Sequence, residues 1–457
     1  MGQVLEVQIQ AQSDGVSRTR HGRYLLRGGR VLTMDAALDL PPTCDVLIGN
    51  GVVEAVGPAI DAAGGEVIDA RNMIVMPGFV EVHWHMWNSI WRGLAHDAPG
   101  YFQLHRLAGL YRPEDHYAAV RYAATEAINA GVTTCHNWAN ALRDEADAIA
   151  EAGALVDSGI RARFGMGRLQ QPGYEAVSGG DIARMQQWVD EHGDGRIDLG
   201  LVAHDAMNLR DEVAAARAAG LKTIAPHADL SGALDLLGPD FIFTHGPGTP
   251  PEFMRLLGQR GVKIGLCPNT DPLIGAGLPP LLQFLESGVK FDDIGMSVDV
   301  SCQTCVDPFA AMRMIMNSAR IAKKAGATLN DIIFSPGDPE DPTNGLMMPA
   351  QMLELATING ARVLGLDDIV GSITPGKRAD LIMVRTDDIN MLPVEESDAA
   401  FQLVQHAQPA NVDTVIVDGR LLKRGGKLLE IDLRRITAAA AGSHRRLVAA
   451  SSARTGG

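Results

Sequence analysis

Nowhere in its 457 residues does the chain carry an unbroken run of about 18 apolar residues, the length that a membrane-spanning helix requires. Dense Lys/Arg clusters are missing too, and 40 basic against 55 acidic side chains leave a formal net charge of −15. Nucleic acid and anionic membranes call for a basic face, so neither is expected as a partner, and the acidity reads as a solubility feature. Cysteines are few and odd in number: Cys44, Cys135, Cys267, Cys302 and Cys305 are scattered along the chain. That is no disulfide framework, and it fits a reducing, cytoplasmic setting. Cys302 and Cys305 form a single C-x-x-C; a structural zinc site of that type wants a second pair, so both read as ordinary buried thiols. The opening stretch, MGQVLEVQIQAQSDG, has no basic start leading into an apolar core, so no secretory signal is expected. Glu6 stands where a myristoylation signal has Ser or Thr.

What is present is ordinary globular material, 46% hydrophobic and 21% charged. The length suits a barrel of about 250 residues plus a smaller companion. Residues 1–22 read as a polar arm. From Tyr24, short apolar runs alternate with glycine turns, as in YLLRGGRVLTMD and DVLIGNGVVEAVG, and the same texture returns in NVDTVIVDGRLLKRGGKLLEIDL. These pieces predict one small β-sandwich domain drawn from both chain ends, 23–77 plus 369–432, with 433–457 as a C-terminal helix or tail.

Between them, 78–368 alternates β-like runs with Ala- and Leu-rich segments at helical spacing. The candidate strands are 78–85, 131–137, 159–165, 196–204, 221–227, 240–245, 261–268 and 293–299. Eight βα units in a row predict an α/β fold, a (β/α)₈ TIM barrel with a parallel sheet.

Polar residues collect at the ends of those strands. His83 and His85 close the first, His136 the second, His204 the fourth, His227 the fifth, His245 the sixth and Asp299 the eighth. In this architecture the C-terminal strand ends form one face, where catalytic groups gather. One H-x-H pair among 13 histidines carries little weight, whereas six histidines and an aspartate converging on one mouth do. Imidazole with carboxylate suits zinc, iron or manganese, and a partly filled coordination sphere leaves room for water whose pKa then falls toward about 7. That is the arrangement of a hydrolase.

The segment PGFVEVHWHMWNSIWRGL resembles the first-strand signature of the amidohydrolase superfamily, PGF-[IV]-[DN]-x-H-x-H. MLELATINGARVLGLDDIVGSITPGKRADLIMV resembles that superfamily's ending, and GLCPNTDPLIGAGLPPLLQFLESGV resembles the seventh-strand segment of its deaminase and triazine-hydrolase branch. The resemblance spans about residues 25–430. It implies one divalent ion, zinc in first place, bound by His83, His85, His227 and Asp299. Asp299 is then also the general base toward the activated water, and His245 bonds the attacked group, stabilising the oxyanion at an sp² carbon. The stretch GLVAHDAMN after the fourth strand offers no Lys where binuclear relatives carry a bridging one, so one metal is expected rather than two. A homodimer is implied as well.

One departure stands out. Deaminases of this branch carry H-x-x-E after the fifth strand, and here Leu230 occupies the place of that Glu. Asp229 shares a face with His227 by strand parity and is the candidate substitute acid. Trp87, Asn88 and Trp91 in the first loop, with His136 and His204, are candidate substrate contacts. Trp84, out of phase with the two His, is expected to pack outward against a helix; Asp271 reads as a turn residue, and His96, His105, His116, His192 and His406 as surface or packing residues. The expected function is hydrolytic deamination of a nitrogen heterocycle, a small-molecule substrate. The alternatives are amide hydrolysis, displacement of another leaving group, or a non-catalytic barrel keeping its metal as scaffold.

Overall fold

The computed structural model describes residues 21–455 apart from 170–174, 205, 330, 332–346 and 394–397, so residues 1–20 of the expected arm lie outside the described residues. Five strands open the chain: β1 (Tyr24–Val31), β2 (Thr43–Gly49), β3 (Val52–Gly57), β4 (Glu66–Asp69) and β5 (Met73–Pro77). Eight follow through the middle: β6 (Phe79–Trp84), β7 (Val132–Leu142), β8 (Arg161–Arg168), β9 (Ile197–Ala203), β10 (Ile224–Pro226), β11 (Ile242–Thr244), β12 (Lys263–Leu266) and β13 (Ile294–Met296). Last come β14 (Leu381–Arg385), β15 (Val412–Val417), β16 (Arg420–Arg424) and β17 (Lys427–Leu428).

Strands from the two chain ends share one nine-stranded sheet, ordered β17-β16-β15-β14-β5-β1-β2-β3, with β4 added on β1. The join is antiparallel, β14 against β5, with Leu381 opposite Pro77 and Arg385 opposite Met73. Leu26, Val46, Ile48, Val75, Leu381 and Met383 are among the residues that give this sheet its own apolar core.

Each of the eight middle strands overlaps a predicted interval, six lying wholly within theirs while β7 and β8 run on past 137 and 165, and all their pairings are parallel. Five are ordered β10-β9-β8-β7-β6 and three β11-β12-β13. Single parallel bridges, Trp84 to Asp299 and Ile224 to Phe241, link the edges of the two sets. Inside lie Val80, Val82, Val202, Ala225 and Ile242, met by Ala361, Val363 and Leu364 around the short helix Ile358–Val363. A Cβ on Gly360 would stand 2.9 Å from Val80 Cβ, so only glycine lets that helix close against β6.

Helices cover the outer faces, and their ends follow local chemistry. Helix Pro113–Ala130 starts with proline at its first position, Asp115 accepting from the Arg112 N–H, and it stops at Gly131 with φ 92°. Helix Glu145–Ser158 is capped by Asp144, whose carboxylate accepts from the Ala146 and Asp147 N–H groups. Trp84 packs in the same core cluster as Val120 and Ala123 of the first of these helices, as its phase requires.

Candidate metal centre

β6 ends just before His85, and there the backbone meets the residues that follow β13. The Asp299 N–H donates to the His83 carbonyl at 3.0 Å and the His85 N–H to the Asp299 carbonyl at 2.8 Å. That pairing brings three side chains together: Asp299 Oδ1 lies 3.3 Å from His83 Nε2 and 3.6 Å from His85 Nε2. His227, one residue beyond β10, puts its Nε2 3.1 Å from His83 Nε2. His245, one residue beyond β11, completes a second trio with His83 and His227, the donor atoms of each trio lying within 4.8 Å of one another. His245 and Asp299 have φ of 70° and 61°, a left-handed conformation that costs non-glycine residues roughly 1–3 kcal/mol and persists where the surroundings enforce it.

The donor set fits a divalent ion. Ligand atoms about 2.1 Å from a tetrahedral centre stand about 3.4 Å apart, and the three separations here, 3.1, 3.3 and 3.6 Å, bracket that value. Burial drives the pKa of His83, His85 and His227 down, so each keeps the neutral form that ligates. Burial opposes ionisation of Asp299, but His245, His83 and His85 outweigh it and hold the carboxylate below its ordinary pKa.

Neighbours orient these rings. The His85 Nδ1–H and the Trp87 Nε1–H both donate to Asn140 Oδ1, at 2.9 and 2.7 Å, which leaves His85 Nε2 to face the cluster. His227 Nδ1 lies 3.2 Å from Thr244 Oγ1. The His245 Nδ1–H donates to Asp271 Oδ1 at 2.7 Å. Burial works against a charge on His245, yet Cys267, Asp299 and Asp271 together raise its pKa well above the ordinary value. Beneath the cluster, the fully buried Glu81 carboxylate accepts from the His83 N–H at 3.0 Å and the Val298 N–H at 2.7 Å, tying the two ligand-bearing segments together.

Several expectations are corrected. The strand carrying His227 ends at Pro226, so parity does not extend to Asp229; that carboxylate is exposed and accepts from the Ser231 N–H at 2.9 Å in a turn. Asp271 is no simple turn residue, being buried against His245. His136 lies in the middle of β7, not at its end, with Nδ1 3.0 Å from the Val82 carbonyl and no solvent exposure. Residues two and four further along the same face, Trp138 and Asn140, reach the mouth instead: the Trp138 ring centroid is 4.4 Å from that of His227. His204 does stand at the mouth, its ring 5.7 Å from Trp138.

Trp87, Asn88 and Trp91 are buried rather than open, because their turn, Met86–Trp91, folds under Tyr101, Leu107 and Tyr111. Of the C-x-x-C pair, Cys302 is buried but Cys305 is exposed. His105, read as a surface or packing residue, is wedged among the rings of Trp87, Trp91 and Tyr101. His116 is a buried packing residue as expected. Asn140, Trp138 and Glu81 went unread, although the i, i+2, i+4 series His136-Trp138-Asn140 was a usable signal once β7 was allowed its full length.

Comparison with known proteins gives a consistent picture. A model of the amidohydrolase family matches residues 74–206 and 195–422. A 5-methylthioadenosine/S-adenosylhomocysteine deaminase from Moorella thermoacetica is 29% identical, over 90% of this chain and 98% of its own. A 5'-deoxyadenosine deaminase from Methanobrevibacter smithii is 26% identical, over 85% and 90% respectively. Among solved structures, an adenosine deaminase from Xanthomonas campestris with bound zinc superposes with a TM-score of 0.77 at 20% identity, covering 94% of this chain and 99% of that one. An atrazine chlorohydrolase from Arthrobacter aurescens TC1, complexed with zinc, gives 0.75 at 18%, covering 92% and 100%. At those identities the likeness of structures concerns the fold.

Proposed function

Because the chain belongs to the amidohydrolase family, we propose that it is a metal-dependent hydrolase that sets water on an sp² carbon of a small nitrogen heterocycle, with His83, His85, His227 and Asp299 holding one divalent ion. The observation that carries the reading is the meeting of these groups at strand ends, His83 Nε2 lying 3.1 Å from His227 Nε2 and Asp299 Oδ1 lying 3.3 and 3.6 Å from the Nε2 atoms of His83 and His85. The two inter-set bridges support closure of the eight strands into a (β/α)₈ barrel spanning 78–368. The shared sheet supports one small β domain built from 23–77 plus 369–432.

When bound, the ion, zinc in first place with iron or manganese as alternatives, lowers the pKa of its water toward about 7. Asp299, ionised and beside that position, takes the water's proton. His245, charged and turned by Asp271 on its Nδ1, donates to the atom that gains negative charge. With Leu230 buried and Asp229 facing solvent, the proton for the leaving group comes from Asp299, which already holds it. Trp138 and His204, their rings set edge to face, offer aromatic surface for a planar ring. The deaminase relatives favour release of ammonia from an aminopurine nucleoside. Leu230 in place of a carboxylate favours a second reading, displacement of a leaving group that needs less protonation.

No helix among the described residues is long and apolar enough to cross a membrane, and five free cysteines accord with a reducing, cytoplasmic compartment. The homodimer implied by the resemblance belongs to the same reading.

The deciding measurement is metal content together with ammonia release from 5-methylthioadenosine, S-adenosylhomocysteine, 5'-deoxyadenosine and adenosine, and chloride release from atrazine. About one ion per chain and chelator-sensitive ammonia are expected. Chloride without ammonia would establish the second reading, and a protein that takes up no metal would overturn both.

A further inference from the structure

Among the aromatic residues that pack over the first loop, the chain places an imidazole whose Nε2 the fold leaves unused. His105 joins the short helix Ala98–Leu104 to the turn His105–Leu110. Its ring meets Trp87, Trp91, Tyr101 and Phe102 edgewise or tilted, with centroids 5.2 to 6.1 Å away. Its Nε2 is buried without a hydrogen-bond partner among the described residues. A buried polar nitrogen left unpaired is a cost to the fold, and packing alone would be better served there by a phenyl ring. The setting ties it to the chemistry: Trp87, whose ring touches that of His105, shares the acceptor Asn140 Oδ1 with the ligand His85. His204 and Asp299 are also near enough to bear on its charge.

We propose that His105 is a specificity-determining residue that contacts substrate, its Nε2 hydrogen-bonding a heteroatom of a planar heterocycle bound near Trp138 and His204. This rests on the hydrolase reading above and deepens it. The neutral imidazole that burial favours accepts from an exocyclic N–H or, in its other tautomer, donates to a ring nitrogen. The substrate class is a heterocycle with a polar edge pointing away from the reacting carbon. His105 would hold the ring flat while Asp299 and His245 act at the other side.

The test compares His105→Phe and His105→Gln with the wild-type chain, each loaded with zinc. His105→Phe keeps the aromatic packing and removes the nitrogen; it is expected to raise the melting temperature by about 1–3 °C, since an unpaired buried group is gone. On whichever panel compound the wild type turns over, KM is expected to rise at least tenfold, with kcat and zinc content changed less than twofold. His105→Gln is expected to recover most of the KM. A fall in melting temperature for His105→Phe would show that the nitrogen serves the fold and overturn the proposal, whatever the substrate. An unchanged KM, or loss of zinc in step with activity, would overturn it too. If the wild type takes up no metal, the hydrolase reading has failed, and that is known before any variant is made.

Discussion

Asn140 Oδ1 takes two hydrogen bonds, one from a proposed metal ligand and one from the tryptophan behind it. Removing such an orienting partner costs metal sites about 10–100-fold in affinity. Asn140→Ala is therefore expected to weaken zinc binding by that factor, read by competition with a chromogenic chelator; unchanged affinity would mean that packing alone holds His85. A second residue-scale device lies behind β7, where His116 is fully buried against Glu151 at 2.7 Å and Asp147 at 3.5 Å. Burial opposes its charge, but the Asp147 and Glu151 hydrogen bonds outweigh it and lift the pKa from 6.5 to about 9. Raised on folding, it contributes stability fully below about pH 6.5, and the contribution fades as pH climbs through about 9. At most it is worth roughly 3 kcal/mol. The melting temperature of the wild type should thus fall between pH 6.5 and 9 more steeply than that of His116→Gln; parallel curves would refute the coupling. His83, His85, His227, His245 and Asp299 were legible because each stands where a strand pattern stops. Asp271 was not, since its pairing with His245 bridges two different loops.

Among the elements, β7 shows how much hangs on a boundary. Read as 131–137 it makes His136 a mouth residue; at its observed Val132–Leu142 it buries His136 and raises Trp138 and Asn140. The sequence beyond, WANAL, remains apolar enough to extend a strand, but nothing local says how far the neighbouring β8 continues to pair with it, as it does out to Leu142 opposite Arg168. The final helix, Leu433–Thr455, is another such case. Its His444 Nδ1–H donates to the Ile90 carbonyl at 2.8 Å, and Arg446 reaches Asp115 and the Leu110 carbonyl, so it clamps the turn that carries Trp87. His444→Ala is expected to cost about 1 kcal/mol of stability and to raise KM severalfold with zinc retained. An unaltered KM would show that the turn stays in place without the clamp.

For the molecule as a whole, a site assembled from segments as distant as His83 and Asp299 links metal binding to folding. An ion at a hundred times its dissociation constant stabilises by about 2.7 kcal/mol, so chelation should lower the melting temperature and zinc should restore it. A melting curve indifferent to zinc would detach the cluster from the fold's stability. The alternation of strand and helix was readable throughout, since periods of two and 3.6 differ plainly. The partnership of β5 with β14 was legible only as a likeness of texture at the two ends, because register depends on a partner far away in sequence. That partnership has a consequence for how the chain is made. When β5 leaves the ribosome, the strand that will pair with its edge is still roughly 300 residues from being translated. At about 5–20 residues per second that edge waits some 15–60 s, exposed to any stray strand. Synthesis thus opens a window in which chaperones, or the helices of the growing middle section, have to guard the unfinished sheet.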